Sequence, residues 1–346
     1  MFNIRFYTPT EQSEWDAFVQ RSRNGVFLFQ RKYMDYHADR FEDASIIVRA
    51  TDSKAAILAV IPANRVRTPS GDLCISHGGL TFGGMVMAEK IGCAQVLAIF
   101  QALAEWLPHQ GFTQLRYKAI PHIYHRLPSE DDLYALHRLG ARVDQTLVSS
   151  TLDLGRAAPT SSQKNHALNL ARRAGITVGT VHWSTYWPLL TETLRSRHSV
   201  NPVHSLSEIE YLAQNFPELE MIGAWQTQST AMDQISEHRP PAEAPPVREQ
   251  LPVTSSKIQA GVVLFHYAGV THTQYLASSP AGFETRAQHA ILEHCINMAR
   301  ARGQRWFSFG TSTEDEGRVL NEGLLRHKEM FGARSTILQT LVLDLS

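Results

Sequence analysis

The chain has 346 residues, too many for one ordinary core and about the length of two domains. Its hydrophobic content of 43 % and charged content of 19 % are those of a globular protein. Lys plus Arg and Asp plus Glu number 33 each, and this zero net charge argues against a general nucleic-acid binder, which carries a basic excess.

The N-terminal MFNIRFYTPTEQSEW lacks a basic-then-apolar signal pattern, and no apolar run approaches the ~20 residues of a membrane helix. Cys74, Cys93 and Cys295 have neither metal-ligand nor Cys-x-x-Cys spacing and read as small core residues. A reduced, cytoplasmic protein is the expectation.

In chain order, TEQSEWDAFVQRS predicts a helix with Trp15, Phe18 and Val19 on one face, followed by FLFQRKYMDYHADRF. Residues 44–50 and 55–63 read as strands about the polar turn at 51–54, and 72–87 as a strand running into a glycine-rich turn. A helix over 95–111 closes on Gly111, a strand covers 112–120, and a second helix over 129–140 starts at Ser129 and closes on Gly140. A strand region spans 141–154.

The second half begins with a helix, a Gly175 cap and a strand over 161–181. The helix WPLLTETLRSRHS follows, then SLSEIEYLAQNF with a capping box at Ser205 and Glu208. Residues 221–228 and 260–269 read as a hairpin interrupted by 229–257, a Pro-, Glu-, Gln- and Ser-rich stretch expected to be a mobile insertion. Residues 271–282 match the 72–87 strand. A helix over 287–303, a strand over 304–310, a helix over 313–332 with Thr313 and Glu316 as a capping box, and a strand region over 333–345 complete the chain.

These elements repeat. Gly111 and Gly140 are 29 residues apart, as are Gly303 and Gly332, and both second glycines open Gly-Ala-Arg. Both final strand regions end in Leu-Asp-Leu. The chain therefore reads as two copies of one α/β lobe offset by 192 positions, 1–156 and 157–346.

A duplicated lobe of this kind resembles the GNAT acyltransferase fold, and most closely its FemAB-like branch, which pairs two such lobes and includes peptidoglycan-bridge transferases and acetyltransferases of polysaccharide biosynthesis. The matching segments are FLFQRKYM, KNHALNLARRAGITV, LLTETLRSRHS, HTQYLASS and FSFGTSTEDEGRVLNEGLLRHKEMFG, spread over nearly the whole chain. The resemblance implies two tandem GNAT-like lobes, each a mixed sheet flanked by helices, and acyl transfer. The GNAT pyrophosphate loop is poorly matched: Glu89 to Ala94 has Glu where Gln or Arg is expected, and lobe two offers Ser278, Ser279 and Gly282 before its helix. No long charged helical arm of the kind carried by tRNA-dependent bridge transferases is visible. Acyl-CoA, typically acetyl-CoA, is thus the expected donor and aminoacyl-tRNA the alternative.

Acyl transfer to an amine needs a held donor, a deprotonated amine and a stabilised oxyanion. Lobe two places small residues, Gly310, Thr311 and Ser312, after its strand and Lys328 on the next helix, in the Gly-Leu-x-x-x-Lys pattern of the resembled family. Space for a donor and a cation for a phosphate or oxyanion is one reading, and a solvated helix lysine the other. Lobe one carries Tyr117, Lys118, His122, Tyr124, His125 and Arg126 at the matching place, suited to an anionic acceptor such as a nucleotide sugar or lipid-linked saccharide. Lys32 and Arg197, in matched segments, join that acceptor side. His77 or His272 could take the amine proton, Tyr275 could protonate a leaving thiol, and Arg318 and Asn321 could touch either ligand. Loop capping, a half-buried sheet polar residue and a solvated helix end are their ordinary alternatives. No Gly-x-Ser-x-Gly elbow, His-Glu-x-x-His run or cysteine cluster supports covalent or metal chemistry. A non-catalytic nucleotide-sugar-binding scaffold is the competing reading outside catalysis.

Overall fold

The computed structural model describes residues 2–51, 55–156, 161–227 and 258–345, so the 229–257 insertion lies outside the described residues. The repeat is physical. Helix Cys93–His109 reaches Gly111, strand Phe112–Lys118 follows, and helix Asp131–Arg138 reaches Gly140 before strand Arg142–Asp153. The second copy runs through helix Ala287–Ala301, Gly303, strand Trp306–Thr311, helix Glu322–Glu329, Gly332 and strand Arg334–Asp344. All four glycines sit at positive φ, between 72° and 92°, the left-handed C-terminal position where a side chain would be strained.

The last strands of the copies are exchanged. Arg142–Asp153 pairs antiparallel with Trp306–Thr311 of the second copy, and Arg334–Asp344 pairs antiparallel with Phe112–Lys118 of the first. The two exchanged strands also pair with each other, Ile337 opposite Val148. One eleven-stranded sheet therefore runs through both lobes. Its lobe-two half continues outward through Val270–Ser278, Ile258–Tyr267, Leu219–Gln226 and Ile176–Thr180; its lobe-one half through Asp72–Ile75, Asn64–Val66 and Glu42–Asp43. A second, four-stranded sheet of Phe2–Phe6, Ile46–Ala50, Ile57–Ile61 and Val86–Met87 also belongs to lobe one.

A shared core locks the lobes. Phe27 of lobe one lies with its ring centroid 5.7 Å from Phe216, 5.5 Å from Phe265 and 5.1 Å from Tyr267, all of lobe two. Trp15, Phe18, Phe29, Phe82 and Tyr186 are fully buried around them. Burial of such aromatics outweighs any single polar contact between the lobes.

Three local expectations are corrected. Residues 313–332 are not one helix: Thr313–Glu314 and Val319–Leu320 form a two-stranded ribbon, and the helix starts at Glu322. Gly317 is the reason, since a Cβ there would sit 2.2 Å from the Thr146 carbonyl oxygen and its φ is 96°. The cap is Asn321, whose side chain accepts from the Leu324 N–H at 2.9 Å, and not Thr313. Ser129 likewise caps nothing; its hydroxyl donates to the Leu127 carbonyl. Cys93 is exposed, whereas Cys74 and Cys295 are buried as expected. Among the described residues no helix is long and apolar enough to cross a membrane.

Candidate functional site

The parallel strands Val270–Ser278 and Trp306–Thr311 pair only from Val270–Trp306 to His272–Ser308. Beyond that point the first stays with Ile258–Tyr267, across a bulge near Thr273 to Tyr275, while the second turns towards Arg142–Asp153. The strands part, and a cavity of about 770 Å³ opens between them. Gly310 stands at the parting with φ 74°.

Lys328 closes the edge of this opening from behind. Its Nζ donates to the carbonyls of Gly310 (2.9 Å) and Thr311 (2.6 Å) and to the Ser312 hydroxyl (2.9 Å). Burial pulls its pKa down to about 7, while three oxygen acceptors favour the ammonium that can donate three bonds. It is not a solvated helix lysine, and in its charged form all three protons are committed to residues 310–312, through which it acts on the cavity.

His272 lies on the cavity wall, 8 % exposed. Its Nδ1 is 3.0 Å from the Ser308 hydroxyl and 3.4 Å from the hydroxyl of Tyr124, which lobe one sends across. Burial, helped by the Lys328 charge, lowers the His272 pKa to about 4, so the ring is neutral at neutral pH. Burial raises the Tyr124 pKa, so that phenol keeps its proton. Arg197, whose guanidinium stacks 4.6 Å from the Phe283 ring, and Arg286 put cations on the cavity wall.

Of the expected residues, the cavity thus gathers His272, Lys328, Ser278, Gly310, Thr311, Asn321, Tyr124 and Arg197. The others lie elsewhere. Tyr275 is off the cavity wall, its hydroxyl 2.7 Å from His204 Nδ1. His77 is buried beside His37 and Phe41, and burial lowers its pKa to about 3. Lys118 donates to the carbonyls of Leu80 and His77, which fastens the 76–85 loop, and burial lowers its pKa to about 8. Lys32 lines a separate hollow with Asp35, Tyr36 and Glu208. His122 borders a groove beyond Ile123. Arg318 pairs with Asp315 across the ribbon turn.

Two expectations fail on packing. Ser278 to Gly282 is no open phosphate cradle. The Ser279 hydroxyl accepts from the Gly282 N–H at 3.1 Å, the Ser278 hydroxyl donates to the Gln259 carbonyl, and a Cβ on Gly282 would sit 2.1 Å from that same oxygen. Tyr117 is a core residue: its hydroxyl accepts from the Met85 N–H at 2.6 Å and donates to Asp132 at 2.5 Å. Tyr117→Phe is expected to cost roughly 1–3 kcal/mol of stability, read as a lower urea midpoint, because a buried donor and a buried carboxyl lose their partner.

Among the described residues, lobe one is built differently at the matching place. Its counterpart strand breaks after Ile75, and the 76–85 loop fills the space, with the Gly83 N–H donating to the Lys118 carbonyl and Gly84 packed on Tyr117.

The residues missed from sequence are Arg286, His289 and His327. The two histidine rings stand perpendicular, centroids 4.8 Å apart on the cavity wall, and His289 Nδ1 and His327 Nε2 are buried without a hydrogen-bond partner. A signal existed. At the 192 offset, His272, Arg286, His289, His327 and Lys328 stand opposite Leu80, Ala94, Leu97, Ala135 and Leu136.

No family model matches the sequence, and no curated protein does. Solved structures do match. FemX superimposes over 99 % of this chain and 97 % of its own, at 13 % identity and a TM-score of 0.65. L-PGS from Bacillus licheniformis does so over 99 % and 93 %, at 12 % identity and 0.57. A tandem GNAT protein from the clavulanic acid biosynthesis pathway covers 100 % and 99 %, at 11 % identity and 0.51. At these identities the likeness is one of fold, and the tandem GNAT-like fold is the observed one.

Proposed function

We propose that the protein is an N-acyltransferase that takes an acyl group from a thioester, acyl-CoA, held in the lobe-two cleft, and passes it to an amine of an amino sugar or related cell-envelope precursor. The asymmetry of the clefts carries this reading: one is open and walled with polar groups, the other is filled by its own chain. The cavity volume is in the range of small-molecule sites. Zero net charge, and the packing of every described helix of eight or more residues onto a strand or another helix, favour a thioester over a charged tRNA.

A bound thioester supplies an electrophilic carbonyl and a thiol leaving group. Arg197 and Arg286 are the cations suited to its phosphates. The acceptor amine must be neutral to attack, and His272 is the imidazole beside Gly310 at the wall that can receive its proton. With a pKa near 4 that ring passes the proton on and does not keep it, and the departing thiolate is the acceptor that balances the transfer of the acyl group to the amine. Tyr124, still protonated, can donate to negative charge that develops on the acyl oxygen.

Thermal unfolding with acetyl-CoA, longer acyl-CoAs and free CoA tests the reading. A ligand at ~100 times its Kd stabilises by roughly 2.7 kcal/mol. The wild type should shift with a thioester, and the exposed-site variants Arg197→Glu and Arg286→Glu should shift less. Absence of any shift would set acyl-CoA aside and make aminoacyl-tRNA the donor to assay next.

A further inference from the structure

Past Ile123 and Thr336, which also wall the donor cavity, a groove of about 470 Å³ continues along the same face of the central sheet. Its floor is set by strand pairing. Trp306 lies opposite Asp153, Arg334 opposite Thr151, and the Thr336 hydroxyl donates to Thr151 Oγ1 at 2.9 Å. Arg156, Arg334 and His122 stand exposed on its walls. Arg305, which is not on the groove wall, stacks its guanidinium 4.8 Å over the Trp306 ring.

Charge distinguishes this groove from its counterpart in the first copy. Some arginines elsewhere are tied to carboxylates, as Arg65 is to Asp72, Arg116 to Asp144 and Arg302 to Glu220, and others, such as Arg138, Arg172 and Arg195, bond neutral side chains instead. Among the described residues neither Arg156, Arg305 nor Arg334 has such a partner, on a chain of zero net charge. Asp153, also on the groove, uses one carboxylate oxygen to accept from the Gly155 N–H at 3.0 Å. The first copy shows what the feature is not. Arg142, the counterpart of Arg334, is paired with Asp144, and Gln114 stands where lobe two has Trp306.

From this geometry we propose that the groove is an anion subsite that holds a phosphate or diphosphate of the acceptor, its arginines supplying forked donors to the oxygens. The assignment rests on the acyltransferase reading for the identity of the ligand as acceptor, and on the groove alone for the anion. Trp306 and Gly310 are four residues apart on one strand, roughly 13 Å. The anion therefore lies roughly that far from the point of transfer, with the amine end of the molecule passing Ile123 into the cavity. A free amine without such an anionic tail would leave the groove empty and be a poor acceptor.

Inorganic pyrophosphate is the probe, titrated calorimetrically in the presence and absence of CoA. Wild type is expected to bind it, and Arg156→Ala/Arg334→Ala to bind it ~10-fold or more weakly. Arg156→Lys/Arg334→Lys should recover part of the loss, and Arg197→Ala/Arg286→Ala should leave binding under CoA unchanged. All the substituted side chains are exposed, so folding is retained. A nucleoside diphosphate and a prenyl diphosphate, titrated in parallel, tell whether the groove prefers a nucleotide or a lipid carrier. No binding, or binding lost only in Arg197→Ala/Arg286→Ala, overturns the subsite. CoA silence with pyrophosphate binding intact would count against the donor reading and leave the subsite standing.

Discussion

Between pH 6.5 and about pH 4 the protein is expected to lose most of its stability. His77, His204 and His272 are each at most 8 % exposed, and burial lowers their pKa values to about 3, 4 and 4. An unfolded histidine titrates near 6.5. Below that pH the unfolded chain binds protons that the folded chain refuses, so stability is intact above pH 6.5 and falls as pH drops. Once all three unfolded rings are protonated the slope is roughly 4 kcal/mol per pH unit. Asp132 opposes it by one proton, because burial raises its pKa to about 6 and the folded state welcomes that proton first. By about pH 4 these groups together remove roughly 7 kcal/mol, so a protein at the low end of the usual range of about 5–15 kcal/mol reaches its acid midpoint at about pH 4 to 5. Urea midpoints measured from pH 7.5 to pH 4.5 check this. His204→Gln should flatten the slope by about one proton, and a midpoint unchanged down to pH 5 would mean these rings are not held neutral.

The repeat was legible because its punctuation is chemical. A helix that ends on a left-handed residue needs glycine, so Gly111, Gly140, Gly303 and Gly332 mark the same two turns in both copies. The strand exchange was not legible. Residues 142–153 and 334–344 carry similar patterns, and either could satisfy the same neighbour, so periodicity is silent on which copy each completes. Tyr117 misled for a related reason. A run of aromatic and cationic residues after a strand looks like a ligand surface, but strand alternation sends Tyr117 inward to Asp132. The helix over 313–332 failed because the contact between Gly317 and Thr146 is tertiary. The site itself was half visible: Gly310 and Lys328 were found by comparing copies, and carrying that comparison on to positions 286, 289 and 327 would have found three more cavity residues.

Lys328→Met is expected to lower acyl transfer sharply and to cost roughly 2–4 kcal/mol of stability, since the Gly310 and Thr311 carbonyls and the Ser312 hydroxyl lose a charged donor together. Ser312→Ala deletes one of the three bonds and should cost about 1 kcal/mol. The two effects separate by pH. Burial puts the lysine near pH 7 in the folded state against about 10.4 unfolded. Between those values the unfolded chain binds the proton more readily, so wild-type stability should rise with pH relative to Lys328→Met. Activity should move the other way, because the neutral amine keeps two donors for three oxygens and the edge of the cleft loosens. A positioning role predicts that donor KM rises along this alkaline limb, and that the limb is absent from the residual activity of the methionine variant. Unchanged stability and unchanged kcat in Lys328→Met would remove the lysine from both the clamp and the chemistry.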